Sequence, residues 1–221
     1  MKAQIPDQKF RKADYNIFPT LVQVHHIDCD TKVVKAFLDD CDMETWPDDI
    51  GKGTTSSRQV ENLLHINEFE DMRKTIEERL NEYCDDAGLE PVDIGKSWIN
   101  HQVQEGYVAS HRHELSIVSG AYYPLVEDES CPLIFESPLR QVRMCDVFDK
   151  QNEFSSYYVS MKPKNGLLLI FPSWLEHRTD PNASGKRITV SFNTIRKNLV
   201  PHIIAQQKHY GKFPVDNQPR V

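Results

Sequence analysis

His111-Arg112-His113, with His177 and Arg187 far along the chain, are the residues whose types and spacing could do chemistry. Side chains of an extended segment alternate between two faces, so histidines at i and i+2 project from the same face. A third imidazole delivered by a distant strand would complete one face of a metal's coordination sphere. An arginine just beyond that metal could hold a carboxylate of something bound to it, because the planar guanidinium offers two parallel charge-assisted hydrogen bonds. Such a set suggests iron-dependent oxygenation. An H-x-H pair alone also fits a polar strand end or two neutral imidazoles in a hydrogen-bonded pair; the combination with His177 and Arg187 is what points to a metal. His25, His26, His65, His101, His202 and His209 lack such spacing and read as ordinary surface or core residues.

P-N-A-S-G at 181–185 is a strong turn signal. Taken as the tip of a hairpin folded about residues 182–183, it makes the strands of His177 and Arg187 neighbours, about one register step apart. Adjacent strands lie about 4.8 Å apart, so the arginine head reaches a group just past a metal held by His177. Thr189 shares a face with Arg187 by strand parity and could add a hydroxyl.

The elements that must position these residues fall into two parts. In the first, Phe18–His25 reads as a short strand and Thr31–Asp42 as a short helix. Pro47–Gln59 is rich in Gly, Ser and Thr with no apolar period, and reads as a mobile connection or a lid over a pocket. The clearest helix is Glu68–Ala87, where Phe69, Met72, Ile76, Leu80 and Tyr83 draw one apolar stripe. Asn67 and Glu70 suggest a capping box, and Gly88 stands where a left-handed C′ residue is wanted. This helix should lie on a sheet as a buttress.

From Gly95 the character changes to short β-branched or aromatic segments: 97–103, 115–123, 132–136, 156–162, 166–171 and 187–193. K-P-K-N-G at 162–166 is a further turn. The expectation is a mostly β fold with N-terminal α elements, a double-sheet jelly roll or barrel. One domain is expected over 1–221, with a strand and helix buttress region at 1–94, a core at 95–196 and a frayed polar extension at 197–221.

A net charge of −7 argues against broad electrostatic capture of nucleic acid. Cys29, Cys41, Cys84, Cys131 and Cys145 are scattered without zinc-ribbon spacing, which fits reduced thiols in a cytoplasmic protein. No apolar run approaches membrane length.

The segments SWINHQVQEGYVASHRHELSIVSGAYYP and KPKNGLLLIFPSWLEHRTDPNASGKRITVSFN resemble a family of 2-oxoglutarate/Fe(II) oxygenases widespread in marine bacteria and their phages. The shared elements are H-x-H, S-G-x-Y-Y, F-P-S-W-L-x-H and R-I-x-x-S-F-N, in order, over roughly residues 95–196; the N-I-F-P segment and the buttress helix also look like family features. The resemblance implies a double-stranded β-helix (jelly roll, cupin-like) with iron at one mouth. Most of the wider superfamily carries H-x-D or H-x-E where this chain has His111-Arg112-His113. His113 replaces the carboxylate, or Glu114 supplies it, or only two protein ligands bind; parity favours His113, since Glu114 on a regular strand points away.

Residue by residue, the resemblance implies metal ligation by His111, His113 and His177. It implies that Arg187 anchors the C5 carboxylate of 2-oxoglutarate, with Tyr123 as phenol partner and Ser119 and Thr189 as further candidates. Tyr122 and Tyr123 equally fit a cross-strand pair, one ring in and one out. Asn100 and Asn193 fit either the pocket wall or a turn, and Trp98, Phe171 and Trp174 the core or pocket wall. The implied activity is an Fe(II)/2-oxoglutarate-dependent dioxygenase, converting 2-oxoglutarate and O₂ to succinate and CO₂ while hydroxylating a small molecule or a protein side chain. Two rivals stand: a three-histidine cupin-type dioxygenase without 2-oxoglutarate, and a non-catalytic ligand-binding jelly roll. A homodimer is compatible with such an enzyme.

Overall fold

The computed structural model describes residues 17–57, 62–140, 142–143 and 145–197. The frayed extension expected beyond 197 lies outside them. The strands are β1 (Gln23–His26), β2 (Glu44–Thr45), β3 (Gly51–Ser56), β4 (Val92–His111), β5 (Val118–Val126), β6 (Leu133–Glu136), β7 (Tyr158–Met161), β8 (Leu167–Pro172), β9 (His177–Thr179) and β10 (Arg187–Arg196). The helices are α1 (Lys32–Asp40) and α2 (Glu70–Ala87), the latter preceded by single 3₁₀ turns at Leu63–His65 and Asn67–Phe69.

All the strand pairings are antiparallel, in the order β1-β8-β5-β10-β4-β9-β6-β7, with β3 also on β4 and β2 on β3. Through its partners Phe171 of β8 stands level with Lys96 of β4, and Phe135 of β6 level with His111, so on a flat sheet they would be about 50 Å apart along the strand direction at ~3.3 Å per residue. Yet the rings of Phe135 and Phe171 meet edge-on with centroids 5.0 Å apart. The sheet is therefore curled on itself, as the double-stranded β-helix expected from the sequence. Ala121, Tyr123, Leu133, Phe135, Leu169, Phe171 and Leu175 form the apolar part of its interior.

Outside this curl, α2 covers the other face. Phe69, Met72, Ile76, Leu80 and Tyr83 are each 3% exposed or less. They join Ile94, Ile99, Val118, Tyr122, Ile188, Val190 and Phe192 in a second cluster. The buttress is thus explained by two periods meeting: 3.6 on the helix, 2 on the strands. Gly120 is needed because a Cβ there would collide with the Phe192 ring of the paired strand. We expect Ile76→Ala to cost about 2–5 kcal/mol of stability by opening a cavity, read as a lower urea midpoint with an unchanged m value.

Several local expectations need correction. The capping box does not form: α2 is capped by Phe69 with no side-chain bond, and Glu70 turns instead to Lys74 at 2.8 Å. Gly88 does take φ 66, and the C-cap closes on Cys84 and Asp85. Part of the segment expected as a loop or lid is strand β3, paired to β4. Its lack of apolar period concealed it, because glycines permit the approach: a Cβ on Gly51 would strike the Tyr107 carbonyl. The turn at 162–166 forms, with Gly166 at φ 83.

The hairpin at 181–185 does not form. β9 and β10 are both antiparallel to β4 and follow one another along the same edge of it, with β3 on the other edge, so they run in the same direction and are not partners of each other. No residue from 180 to 186 takes the positive φ that a tight hairpin turn demands. Instead Asn182 docks this segment on a bend in β4. Its side chain donates to Gln102 O at 3.0 Å, its backbone N–H to Gly106 O at 2.8 Å, and its carbonyl accepts from Glu105 N–H at 2.8 Å.

Candidate metal centre and carboxylate pocket

β4 brings together both ends of the site. Its first part pairs with β10, placing Arg187 opposite Gln102, and its end pairs with β9, placing His177 opposite His111. His113 lies two residues beyond β4, held by its backbone N–H donating to Ser173 O at 3.0 Å. The ring atoms of His111, His113 and His177 that could bind a metal all lie within 4.8 Å of one another. Glu114 is exposed in the turn that follows and stands outside this group.

Two of the three imidazoles are oriented by backbone carbonyls. His111 Nδ1 lies 2.8 Å from Ala109 O, and His177 Nδ1 lies 2.8 Å from Leu175 O. A carbonyl only accepts, so each Nδ1 carries the proton and each Nε2 keeps its lone pair for a metal. Burial pushes all three ring pKa values down, His113 to about 4 and His177 to about 3, with neighbouring imidazoles adding to the effect at these two. The site is therefore three neutral nitrogen donors, suited to a divalent transition metal.

This has a consequence for the metal-free protein. His177 titrates near its ordinary 6.5 when unfolded and near 3 when folded, so the unfolded chain binds the extra proton. Its contribution to stability is complete above pH 6.5 and is lost as pH falls towards 3. The slope is about 1.4 kcal/mol per pH unit for this one group. Urea unfolding between pH 7 and pH 4.5 should show that fall, and it should be shallower in His177→Ala, where His111 and His113 still add to it.

At the other end Arg187 is 4% exposed. It donates from Nε to Cys131 O at 3.1 Å, from Nη1 to Gln102 Oε1 at 3.1 Å and Thr189 Oγ1 at 3.2 Å, and from Nη2 to Tyr123 OH at 3.3 Å. These partners are all uncharged. A buried guanidinium held by neutral groups is a standing demand for an anion. Tyr123 and Thr189 accept from it and so can turn their own hydroxyl hydrogens to that anion. Burial raises the Tyr123 pKa despite the neighbouring arginine, keeping the phenol protonated.

One cavity joins the two ends, and its wall includes the histidines, Arg187, Tyr123 and Thr189. Between them, Trp98 Nε1 and Asn100 Oδ1 are buried polar atoms with no hydrogen-bond partner among the described residues. Orphaned atoms in a polar cavity fit a ligand that reaches from metal to arginine. The donor set, the uncompensated arginine and these orphans together fit iron chelated by a small dicarboxylate.

Ser119 is elsewhere. Its hydroxyl lies 2.8 Å from Ser173 Oγ and 2.8 Å from Asn193 Oδ1, at the His113 end, so it is no partner of Arg187. Tyr122 and Tyr123 do point to opposite faces, but both are buried, one against α2 and one in the curl. Asn100, Trp98 and Phe171 line the cavity, whereas Trp174 is 52% exposed. Sequence reasoning passed over Gln102 and Trp46, which also line it. Gln102 was within reach of parity: Trp98, Asn100 and Gln102 share one face of β4, and Ile99 between them packs in the cluster under α2. Trp46 carried no signal, since β3 brings it to the cavity.

A family model described as "Putative 2OG-Fe(II) oxygenase" matches residues 96–193. No curated protein matches this chain at a significant level. Among solved structures, it is similar to HygX from Streptomyces hygroscopicus with nickel and 2-oxoglutarate bound, at 12% identity and TM-score 0.56, over 81% of this chain and 84% of that one. It is similar to a prolyl-4-hydroxylase from Pseudomonas putida at 10% identity and TM-score 0.54, over 80% of this chain and 94% of that one. The non-heme α-ketoglutarate-dependent epimerase SnoN from nogalamycin biosynthesis gives 13% identity and TM-score 0.56, over 78% of each chain. At such identities the likeness is one of fold. Among the described residues no helix is long and apolar enough to cross a membrane.

Proposed function

We propose that this chain belongs to the 2OG-Fe(II) oxygenase family and acts as an Fe(II)/2-oxoglutarate-dependent dioxygenase. In this reading His111, His113 and His177 hold the iron, and Arg187 with Tyr123 and Thr189 takes the far carboxylate of 2-oxoglutarate. The observation that carries it is the pairing, in one cavity, of three neutral ring nitrogens with a buried arginine whose partners are all uncharged. Bound iron and 2-oxoglutarate supply the oxidising power, with conversion of 2-oxoglutarate and O₂ to succinate and CO₂.

The chain's own residues do the positioning. Arg187 binds the carboxylate with its planar fork, and Gln102 and the Cys131 carbonyl fix the plane of that fork. Phe135 and Phe171 pack against His177 with ring centroids 6.2 and 4.9 Å away, which keeps water from that side of the metal site. Hydroxylation is the default outcome, and the epimerase among the structural neighbours marks a different outcome on the same fold. A small molecule or a protein side chain is the substrate class. Both have counterparts, in HygX with hygromycin B bound and in the Trichoplax adhaerens prolyl hydroxylase with a peptide fragment.

The all-histidine donor set also favours a second reading, a three-histidine dioxygenase in which Arg187 binds a substrate carboxylate and 2-oxoglutarate is not used. Anaerobic titration with Fe(II), then 2-oxoglutarate, separates the two. A visible charge-transfer band and succinate formation in air are expected from the first. Tight iron binding without a band supports the second, and no iron binding rejects both.

A further inference from the structure

His113 has no backbone carbonyl on its Nδ1, unlike the other two histidines; its neighbour there is Asn193, whose Nδ2 lies 3.2 Å away. If Asn193 donated to Nδ1, the neutral ring would carry its proton on Nε2 and could not offer that atom to a metal. The surrounding hydroxyls decide which end of the amide faces the ring. Ser116 Oγ lies 3.0 Å from Thr194 O and 3.1 Å from Val118 O, and so close an approach of two acceptor oxygens is favourable only with a hydrogen between them; Val118 O already accepts from Thr194 Oγ1 at 2.9 Å, so the geometry gives the Ser116 hydrogen to Thr194 O. Ser116 also accepts from Thr194 N–H at 3.0 Å. The 2.8 Å contact between Ser173 and Ser116 is then made by the Ser173 hydrogen. With its only hydrogen spent, Ser173 must accept from Ser119 across their 2.8 Å contact. Ser119 therefore has no hydrogen left for Asn193, whose Oδ1 lies 2.8 Å from it.

With Oδ1 facing Ser119, one hydroxyl would have to supply two hydrogens. With the amide turned about, every group is satisfied: Asn193 Nδ2 donates to Ser119 and Oδ1 accepts from His113 Nδ1–H. We propose that Asn193 is a positioning residue that holds His113 as its Nδ1–H tautomer, at the end of a one-way hydroxyl chain through Ser119, Ser173 and Ser116. The Nε2 lone pair of His113 then faces the same place as those of His111 and His177. This explains how a histidine stands where a carboxylate ligand would need no tautomer set. The inference rests on the metal-centre reading, but its first test does not.

Long-range ¹H–¹⁵N NMR of the metal-free full chain reads the tautomer of each histidine directly. His113 should be Nδ1–H in the wild type; a dominant Nε2–H form overturns the proposal, whether or not metal binds. In Asn193→Leu the His113 tautomer should become mixed or reversed, with His111 and His177 unchanged, and Co(II) affinity should fall about 10–100-fold. Asn193→Asp, which can still accept from Nδ1–H, should keep the wild-type tautomer and come within a few-fold of wild-type affinity. Should Asn193→Leu fail to fold, Ser119→Ala serves instead, since it frees the amide to turn and should mix the His113 tautomers. Unchanged Co(II) affinity in a folded Asn193→Leu with His113 still Nδ1–H would also overturn it. No Co(II) binding by the wild type, with His113 as Nδ1–H, would reject the metal centre while leaving the tautomer assignment intact.

Discussion

His177→Ala is expected to abolish the charge-transfer band and weaken Fe(II) binding by more than ~10²-fold, since removing a ligand should exceed the 10–100-fold typical of losing a group that merely orients one. His177 is 4% exposed and closes the group, its ring 4.4 Å from His111 and 5.1 Å from His113. Alanine leaves a polar hole between Phe171 and Phe135 that water enters, and the two remaining imidazoles cannot by themselves define a face. The metal-free variant should nonetheless fold, because a buried neutral imidazole contributes little that water cannot replace. Isothermal titration with Fe(II) under argon, alongside far-UV circular dichroism, separates lost ligation from lost fold. Wild-type affinity in a folded variant would remove His177 from the ligand set.

Arg187→Ala should do the opposite: keep Fe(II) affinity and lose 2-oxoglutarate. Two charge-assisted hydrogen bonds to a buried carboxylate contribute roughly 3–4 kcal/mol, or ~10²–10³-fold in affinity. The readout is the 2-oxoglutarate concentration that half-saturates the charge-transfer band. Some stability change should accompany it, since Gln102 Oε1 and the Cys131 carbonyl lose their donor. Arg187→Lys keeps the charge but not the fork, and should fall between the two. If Arg187→Ala left 2-oxoglutarate binding unaltered, the arginine would have to serve a substrate carboxylate, as in the three-histidine reading.

The candidate site was legible in unequal parts. The H-x-H spacing and His177 could be read as a metal set because an extended backbone gives neighbouring same-face residues a fixed separation. Arg187, Thr189 and Tyr123 also come together, yet for a different reason from the one parity and the turn suggested. The expected hairpin between β9 and β10 would have joined His177 and Arg187 directly; β4 joins them instead, one at each end. Ser119 has the right parity and lies on the right strand, but parity says nothing of position along it. Four residues from Tyr123, Ser119 reaches the His113 end.

By itself the sequence determined what depends on local chemistry and short-range period. That includes the buttress stripe from Phe69 to Tyr83, the left-handed Gly88, the turn ending in Gly166, and the types of the donor residues. Tertiary structure alone decided which strands pair, that β3 is a strand, and that the sheet curls until Phe135 meets Phe171. It also decided the direction of the hydroxyl chain behind His113, which draws on three separated stretches of the chain. The physical reason is that period fixes which face a side chain takes, whereas strand partners and hydrogen-bond direction follow from groups brought together by folding. No window of sequence contains those groups together.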